Sequence, residues 1–176
     1  MGSFLEDFFW LMVSIGQPFG IFTTWLFIFT FLYHLSAAIN KTDNSQTYLS
    51  FIMMVSYTLC LYIDMYTPLK HLQLYIFDAV TIAAIIIWRY SLGKVIPVSF
   101  YYLVGGLSIN ATLFLAIHID TMLDPYSEYW WLWGVYGLVM PLVDLTMAVV
   151  LITNKDILGL VKLKNSVLNR KPLVAR

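Results

Sequence analysis

Two carboxylates, Asp144 and Asp78, stand within long apolar stretches of this 176-residue sequence. An ionised carboxylate at the centre of a membrane helix costs on the order of 2.5–3.5 kcal/mol on insertion scales, so it tends to face protein or water and often marks a path for ions. Pro141, three residues before Asp144, removes one backbone hydrogen bond and leaves a free carbonyl nearby. This combination predicts an ion or proton station at Asp144.

His34 is the first candidate partner for Asp144. It lies about five residues from one end of the first apolar stretch, and Asp144 lies about ten residues from the corresponding end of the last. At 1.5 Å per residue the two lie within roughly 8 Å in depth, so contact between those helices would allow a pair or a proton relay. The alternative is that Asp144 is protonated, or hydrogen-bonded to Thr146 or a neighbouring helix, and only fixes the packing.

A second polar set gathers toward the other end of the apolar stretches. Asn110 lies at about the depth of Asp78, and the remaining members form an outer polar cluster: Asp64, His71, His118 and Asp120. Imidazole and carboxylate groups together can bind a transition metal or pass protons. However, no fixed ligand spacing such as His-x-x-x-His occurs, and span ends collect polar residues because the interface is where they cost least. We therefore predict that the cluster holds no metal.

Other catalytic chemistry has little support in the sequence. His34 differs in depth from His71 and His118, which argues against a bis-histidine haem. No Gly-x-Ser-x-Gly elbow indicates a nucleophile, and Gly105-Gly106 is embedded in an apolar stretch rather than in a phosphate-binding loop. We predict no catalytic residue and no cofactor.

The elements that must position these residues are five apolar blocks in a chain that is 60% hydrophobic and 11% charged. The blocks are Phe19–Ile39, Thr47–Met65, Leu72–Trp88, Val95–His118 and Trp130–Thr153. Each has about the length that crosses a hydrocarbon core of ~30 Å at 1.5 Å per helical residue. The sequence therefore predicts an all-α, polytopic membrane bundle of five transmembrane helices over residues 19–153, without a separate soluble domain.

The distribution of Lys and Arg predicts the orientation of this bundle. Nine of the ten basic residues lie on alternate connections or in the tail, and only Lys70 lies on the other side. By the positive-inside rule the N-terminus is outside and the C-terminus is cytoplasmic, in a plasma membrane or bacterial inner membrane. The formal net charge of zero hides this asymmetry, which serves orientation and leaves no basic face for nucleic acid, so the lipid bilayer is the predicted partner.

The two ends of the chain carry amphipathic patterns. Ser3-Phe4-Leu5-Glu6 fits a capping box, and the apolar residues that follow at helical spacing stop at Gly16-Gln17-Pro18. A helix of about fourteen residues is only ~21 Å long, so residues 1–18 are predicted to lie in the outer interface. The alternative is that residues 4–17 insert as a sixth span. Residues 154–176 alternate apolar and basic positions, which predicts a cytoplasmic surface helix on anionic lipid.

Three functions from different classes follow from these observations. The first is a channel or carrier for ions, protons or small solutes that acts as an oligomer, because five short helices enclose little lumen. The second is a non-catalytic accessory subunit of a larger membrane complex, whose polar residues serve helix pairing. A metal-dependent or lipid-modifying membrane enzyme that uses the outer cluster is the third. The intramembrane carboxylates favour the first.

Overall fold

The computed structural model describes residues 2–39, 44–63, 69–92, 96–123 and 131–162, with side chains from residue 18 onward except that of residue 92. Its regular elements are five α-helices: α1 (Gly2–Ala38), α2 (Ser45–Cys60), α3 (Lys70–Leu92), α4 (Val98–Leu123) and α5 (Trp131–Thr153). No strand occurs in these described ranges. The predicted all-helical class is confirmed for them.

Four of the helices are long and apolar enough to cross a membrane. The spanning segments are Pro18–Ala38, Lys70–Ser91, Val98–Leu123 and Trp131–Thr153, and they contain 21, 22, 26 and 23 residues. At 1.5 Å per residue each exceeds the ~30 Å thickness of a hydrocarbon core. These are the helices of an integral membrane protein.

The predicted count of five spans is not confirmed, because α2 is shorter than expected. It contains 16 residues and ends at Cys60 rather than at Met65, so it is only ~24 Å long. Three successive backbone bonds of the i→i+3 type follow, from the N–H groups of residues 61–63. Tight turns of this kind commonly end a helix.

The predicted break at Gly16-Gln17-Pro18 is wrong. The structure has one helix of 37 residues from Gly2 to Ala38, with Pro18 inside it. A proline removes a single backbone bond, and in an apolar setting the flanking residues still satisfy their polar groups best as a helix. At ~55 Å, α1 is longer than a membrane core, so part of it must project. The location of residues 2–17 in the outer interface stays a prediction.

The helices form a closed ring. Each helix packs against the next in the chain, and α5 packs against α1 to close the ring. We call the end that carries Ser45, Val98 and Thr153 the tail end, and the end that carries Lys70 and Trp131 the far end. The tail end is the predicted cytoplasmic side.

A set of buried apolar side chains fills the half of the ring nearer the tail end. We call this set the apolar layer; it consists of Phe27, Leu49, Met53, Ile85, Phe100, Leu103, Leu107, Met147, Ala148 and Leu151. Gly106 on α4 allows α5 to approach closely here, since a Cβ at this position would meet the side chains of Met147 and Val143. At Gly105, one residue earlier, a Cβ would meet nothing within 4 Å.

Polar contacts fix the start of the tail against α4. The Tyr102 hydroxyl donates to Asp156 Oδ1 at 2.7 Å and accepts from the Leu158 N–H, also at 2.7 Å. Asp156 also accepts from the N–H groups of Val161 and Lys162, where helical backbone resumes. The rest of the predicted amphipathic tail, residues 163–176, lies outside the described residues.

Candidate functional site

Asp144 lies at the meeting point of three helices in the interior of the ring. Its Oδ1 atom accepts a hydrogen bond from the Tyr57 hydroxyl of α2 at 2.6 Å and another from the Asn110 Nδ2 of α4 at 2.8 Å. Only 7% of Asp144 and 1% of Asn110 is exposed. The carboxyl therefore faces protein rather than lipid, as the insertion cost of a carboxylate requires.

Asp78 brings a second carboxyl to the same interior from α3. It is 6% exposed, and it interacts electrostatically with Asp144. Its Oδ2 atom is buried and has no hydrogen-bond partner among the described residues, and the same holds for Oδ1 of Asn110. We call Tyr57, Asp78, Asn110 and Asp144 the carboxylate cluster.

Two hydroxyl side chains, one on α2 and one on α3, lie next to the cluster. Ser56 Oγ lies 2.6 Å from Thr81 Oγ1, and Thr81 donates to the Phe77 carbonyl at 2.8 Å. Since the Thr81 proton is used in that bond, Ser56 is the donor between the two hydroxyls. These bonds link α2 to α3 one turn from Asp78.

The predicted pairing of His34 with Asp144 is not formed. His34 Nε2 lies 2.9 Å from the carbonyl oxygen of Leu151 on α5. Leu151 is seven residues beyond Asp144, which is about 10.5 Å along the helix axis. The sequence placed His34 correctly near α5, but it bonds the backbone of the apolar layer instead of the carboxylate.

Three of the four members of the predicted outer cluster lie within the described residues. His71 packs among aromatic rings: its centroid lies 6.4 Å from that of Phe114, 5.8 Å from Trp133 and 5.9 Å from Tyr136. His118 interacts electrostatically with His71, and the Nδ1 atoms of both rings are buried without a partner in the described part of the chain.

Only one of the two acidic members of that cluster lies within the described residues. Asp120 accepts from the Trp133 indole N–H at 3.2 Å, and Asp64 lies outside the described residues. Within residues that the structure describes, no group of three or more His, Cys, Asp or Glu side chains could hold a metal. The metal-free state of the cluster stays a prediction.

Two tyrosines that lie near the carboxyls were not predicted from the sequence. Tyr57 donates directly to Asp144, and Tyr136 lies within the electrostatic reach of both carboxyls as well as beside His71. The signal was available, because a buried tyrosine hydroxyl usually needs a partner and both residues stand inside apolar runs. Neither helical spacing nor charge singles them out from the other tyrosines.

This arrangement is suited to holding a proton or a small cation. Both carboxyls are buried, and no Lys or Arg of the described ranges interacts electrostatically with either of them. Two like charges cannot both remain ionised and uncompensated in a low dielectric. Since no described side chain supplies a positive charge here, at least one of the two carboxyls needs a proton or a bound cation.

A scan against protein-family models finds no match, and comparisons with curated proteins and with solved structures find no similar chain.

Proposed function

We propose that the protein is a channel or carrier for protons or small cations, and that the path runs through the interior of each chain. The observation that carries this proposal is the convergence of Asp78 and Asp144, with Tyr57 and Asn110, inside the ring of helices. Intramembrane carboxylates that face a bundle interior are characteristic of ion and proton paths.

Access to the cluster is proposed to come from the far end. Titratable side chains occupy that half, where His118 and His71 lie near the rim and Tyr136 lies between His71 and the carboxyls. The apolar layer lies in the opposite half, between the cluster and the tail end, and the buried side chains of that half also include His34, Ser50 and Ser99. Since an ion cannot cross such a layer without water, passage requires the layer to open.

The site is made by residues of a single chain, which changes the expected role of an oligomer. An oligomer would carry one path in each copy rather than one path between copies. The prediction that several copies assemble remains a proposal, but it is not needed to complete the site.

The test is flux into proteoliposomes, with an entrapped pH-sensitive dye for protons and radioactive sodium for cations. Asp144→Asn keeps the shape of the side chain but removes its charge, so we expect it to lower the flux at least tenfold or to change its selectivity. Asp156→Asn, which removes a carboxylate outside the cluster, should retain flux. Unaltered rate and selectivity in a folded Asp144→Asn protein would contradict the proposal.

A second candidate, the non-catalytic accessory subunit, is favoured by one observation on the outside of the ring. Ser108, Ile109, Thr112 and Leu113 of α4 line a shallow groove of about 300 Å³, and Gly105 beside it has open space. Small side chains at such a face allow another helix to approach closely.

Disulfide cross-linking tests this candidate. In a Cys60→Ser background, Ser108→Cys should cross-link to a copy or a partner subunit in native membranes, whereas Ile87→Cys on the exposed face of α3 should not. Equal cross-linking at both positions would indicate random collisions and remove the support for this role. No observation within the described ranges favours the third hypothesis, a membrane enzyme.

A further inference from the structure

The carboxylate cluster contains more hydrogen-bond acceptors than donors. Tyr57 uses its one hydroxyl hydrogen, and Asn110 uses one of its two amide hydrogens, at Asp144 Oδ1. The nearby hydroxyls offer nothing further, because Ser56 donates to Thr81 and Thr81 donates to a backbone carbonyl. The surplus acceptors, Asp78 Oδ2 and Asn110 Oδ1, are therefore left buried and without a donor among the described residues.

The charge of the cluster is also uncompensated. Hydrogen bonds from a neutral hydroxyl and a neutral amide reduce the cost of a buried carboxylate but do not cancel its charge. One proton on Asp78 would neutralise that residue and supply a single donor, while the charge of Asp144 would remain. A bound monovalent cation leaves the same net charge, but it contacts several oxygens at once, whereas a proton supplies a single donor.

The ligand atoms indicate which cation fits. All the available atoms are oxygens, from two carboxyls and one amide, and hard cations prefer such ligands. Ca²⁺ usually takes six to eight oxygens and Mg²⁺ usually retains several waters. Two carboxyls and one amide offer at most five oxygens, fewer than Ca²⁺ usually takes, and side chains that are at most 7% exposed have little access to the waters that Mg²⁺ retains, so a monovalent ion suits them better.

We propose that the cluster binds one dehydrated monovalent cation of sodium size through Asp78 Oδ2, Asn110 Oδ1 and the Asp144 carboxylate. This assignment rests on the proposed permeation function and names its substrate class. Carboxylate oxygens exert a strong field, which favours a smaller ion over a larger one, so sodium should bind more tightly than potassium.

The first measurement is the thermal stability of the purified wild-type protein in sodium, potassium, calcium and choline chlorides at equal ionic strength and fixed pH. A ligand that binds only the folded state stabilises it, so sodium at about 100-fold above its Kd should raise the Tm by roughly 5–10 °C over choline. Potassium should raise it less. Equal Tm values in sodium and choline, or a rise with calcium alone, would overturn the assignment.

The second measurement is equilibrium binding of radioactive sodium to the variants. Asp78→Asn and Asp144→Asn should each weaken binding at least tenfold, because each removes a charged ligand. Asp156→Asn should bind sodium as the wild type does. If a cluster variant does not fold, the comparison of salts on the wild-type protein still decides the question; undiminished binding in both folded variants would overturn it.

Binding and flux together separate the two proposals. Stoichiometric sodium binding without flux of any ion would uphold the cation site and contradict permeation. Proton flux without sodium binding would uphold permeation and contradict the cation site. Absence of both would contradict both.

Discussion

The hydroxyl of Tyr57 and the amide of Asn110 converge on one oxygen of Asp144, although they come from different helices. In a membrane interior each such interhelical bond is worth roughly 0.5–2 kcal/mol, because water cannot replace the lost partner and other protein groups only sometimes can. The bonds also fix the rotation of α2 and α4 relative to α5. Asp144 is therefore a packing residue as well as a candidate ion ligand.

Replacing Tyr57 by Phe should show this packing contribution. The ring stays beside Phe27, whose centroid is 4.4 Å away, while the donor to Asp144 is lost. We expect the free energy of unfolding to fall by about 1 kcal/mol. In a double-mutant cycle with Asp144→Leu, which removes the acceptor of that bond, the two losses should be less than additive. Fully additive losses, measured by unfolding in mixed detergents, would mean that the bond contributes nothing.

The histidines of the far end lead to a prediction about metal content. His71 is enclosed by aromatic rings, and no group of three or more metal-ligating side chains occurs in the described part of the chain, so purified protein should contain no stoichiometric metal. Elemental analysis measures this. Zinc, iron or copper that is present at one per chain, and that is lost in a His71→Ala, His118→Ala double variant, would overturn the prediction and favour the enzyme hypothesis.

At the scale of elements, the contact between α4 and α5 depends on a missing side chain. A Cβ at Gly106 would lie 2.6 Å from Met147 Cγ and 3.1 Å from Val143 Cγ1, whereas one at Gly105 would meet nothing within 4 Å. The two adjacent glycines thus form a matched pair, of which one is packed and the other is open.

Gly106→Ala should destabilise the bundle and Gly105→Ala should not. Met147 is flexible and can move partly aside, so we expect a loss of about 1–2 kcal/mol for Gly106→Ala. Gly105→Ala removes a poor helix former from an open face and should lie within about 1 kcal/mol of the wild type, on the stabilising side. Unfolding in mixed detergents compares them, and equal stabilities would contradict the close approach of α5.

The junction between α5 and the tail should respond to pH through Asp156. The hydrogen bond from Tyr102, followed by the backbone N–H groups of Lys162 and Val161, lowers the pKa of this carboxyl below its usual range. A lowered folded-state pKa means that the stabilisation is present above the unfolded value of about 3.9 and is lost as the pH falls through the folded value. The junction should therefore loosen on strong acidification.

Hydrogen exchange at the Leu158 and Lys162 amides measures this loosening. We expect the protection of these amides, corrected for the intrinsic pH dependence of exchange, to decrease when the pH is lower than about 4. In Tyr102→Phe it should already be reduced at neutral pH, because the donor to Asp156 and the acceptor for the Leu158 N–H are both lost. Protection that is unchanged in this variant would show that the junction does not depend on the Tyr102 contacts.

At the scale of the whole molecule, the carboxylate cluster and the apolar layer lie one after the other along the axis of the closed ring. The carboxylate cluster lies on the far-end side of the apolar layer. The orientation of the ring therefore decides from which side of the membrane an ion can reach the cluster. The orientation of the ring in the membrane stays a prediction from the nine-to-one distribution of basic residues.

Thiol labelling in intact cells tests that orientation. In a Cys60→Ser background, a cysteine introduced near Arg176 should resist an impermeant reagent, and one near Ser3 should react. The opposite pattern would invert the molecule and give the cluster access from the cytoplasm. It would leave the geometry of the cluster unchanged.

The sequence alone determined the helical class, the apolar segments and the positions of the costly carboxylates. These properties are local: hydropathy over about 20 residues decides whether a segment suits the membrane, and a carboxylate within it is conspicuous in any arrangement. The same local rules failed at Pro18 and near Cys60, where the continuation of a helix depends on how the surrounding backbone is satisfied.

Only the tertiary structure decided which side chains meet. Depth along a helix can be counted from the sequence, and that count brought His34 to the correct side of α5 but not to Asp144. Contact also depends on the rotation of each helix about its axis and on which helices are neighbours, and these follow from packing over the whole ring. His34 contacts Leu151 because the ring closes between α1 and α5, and Tyr57 of α2 reaches Asp144 of α5 across the interior of the ring.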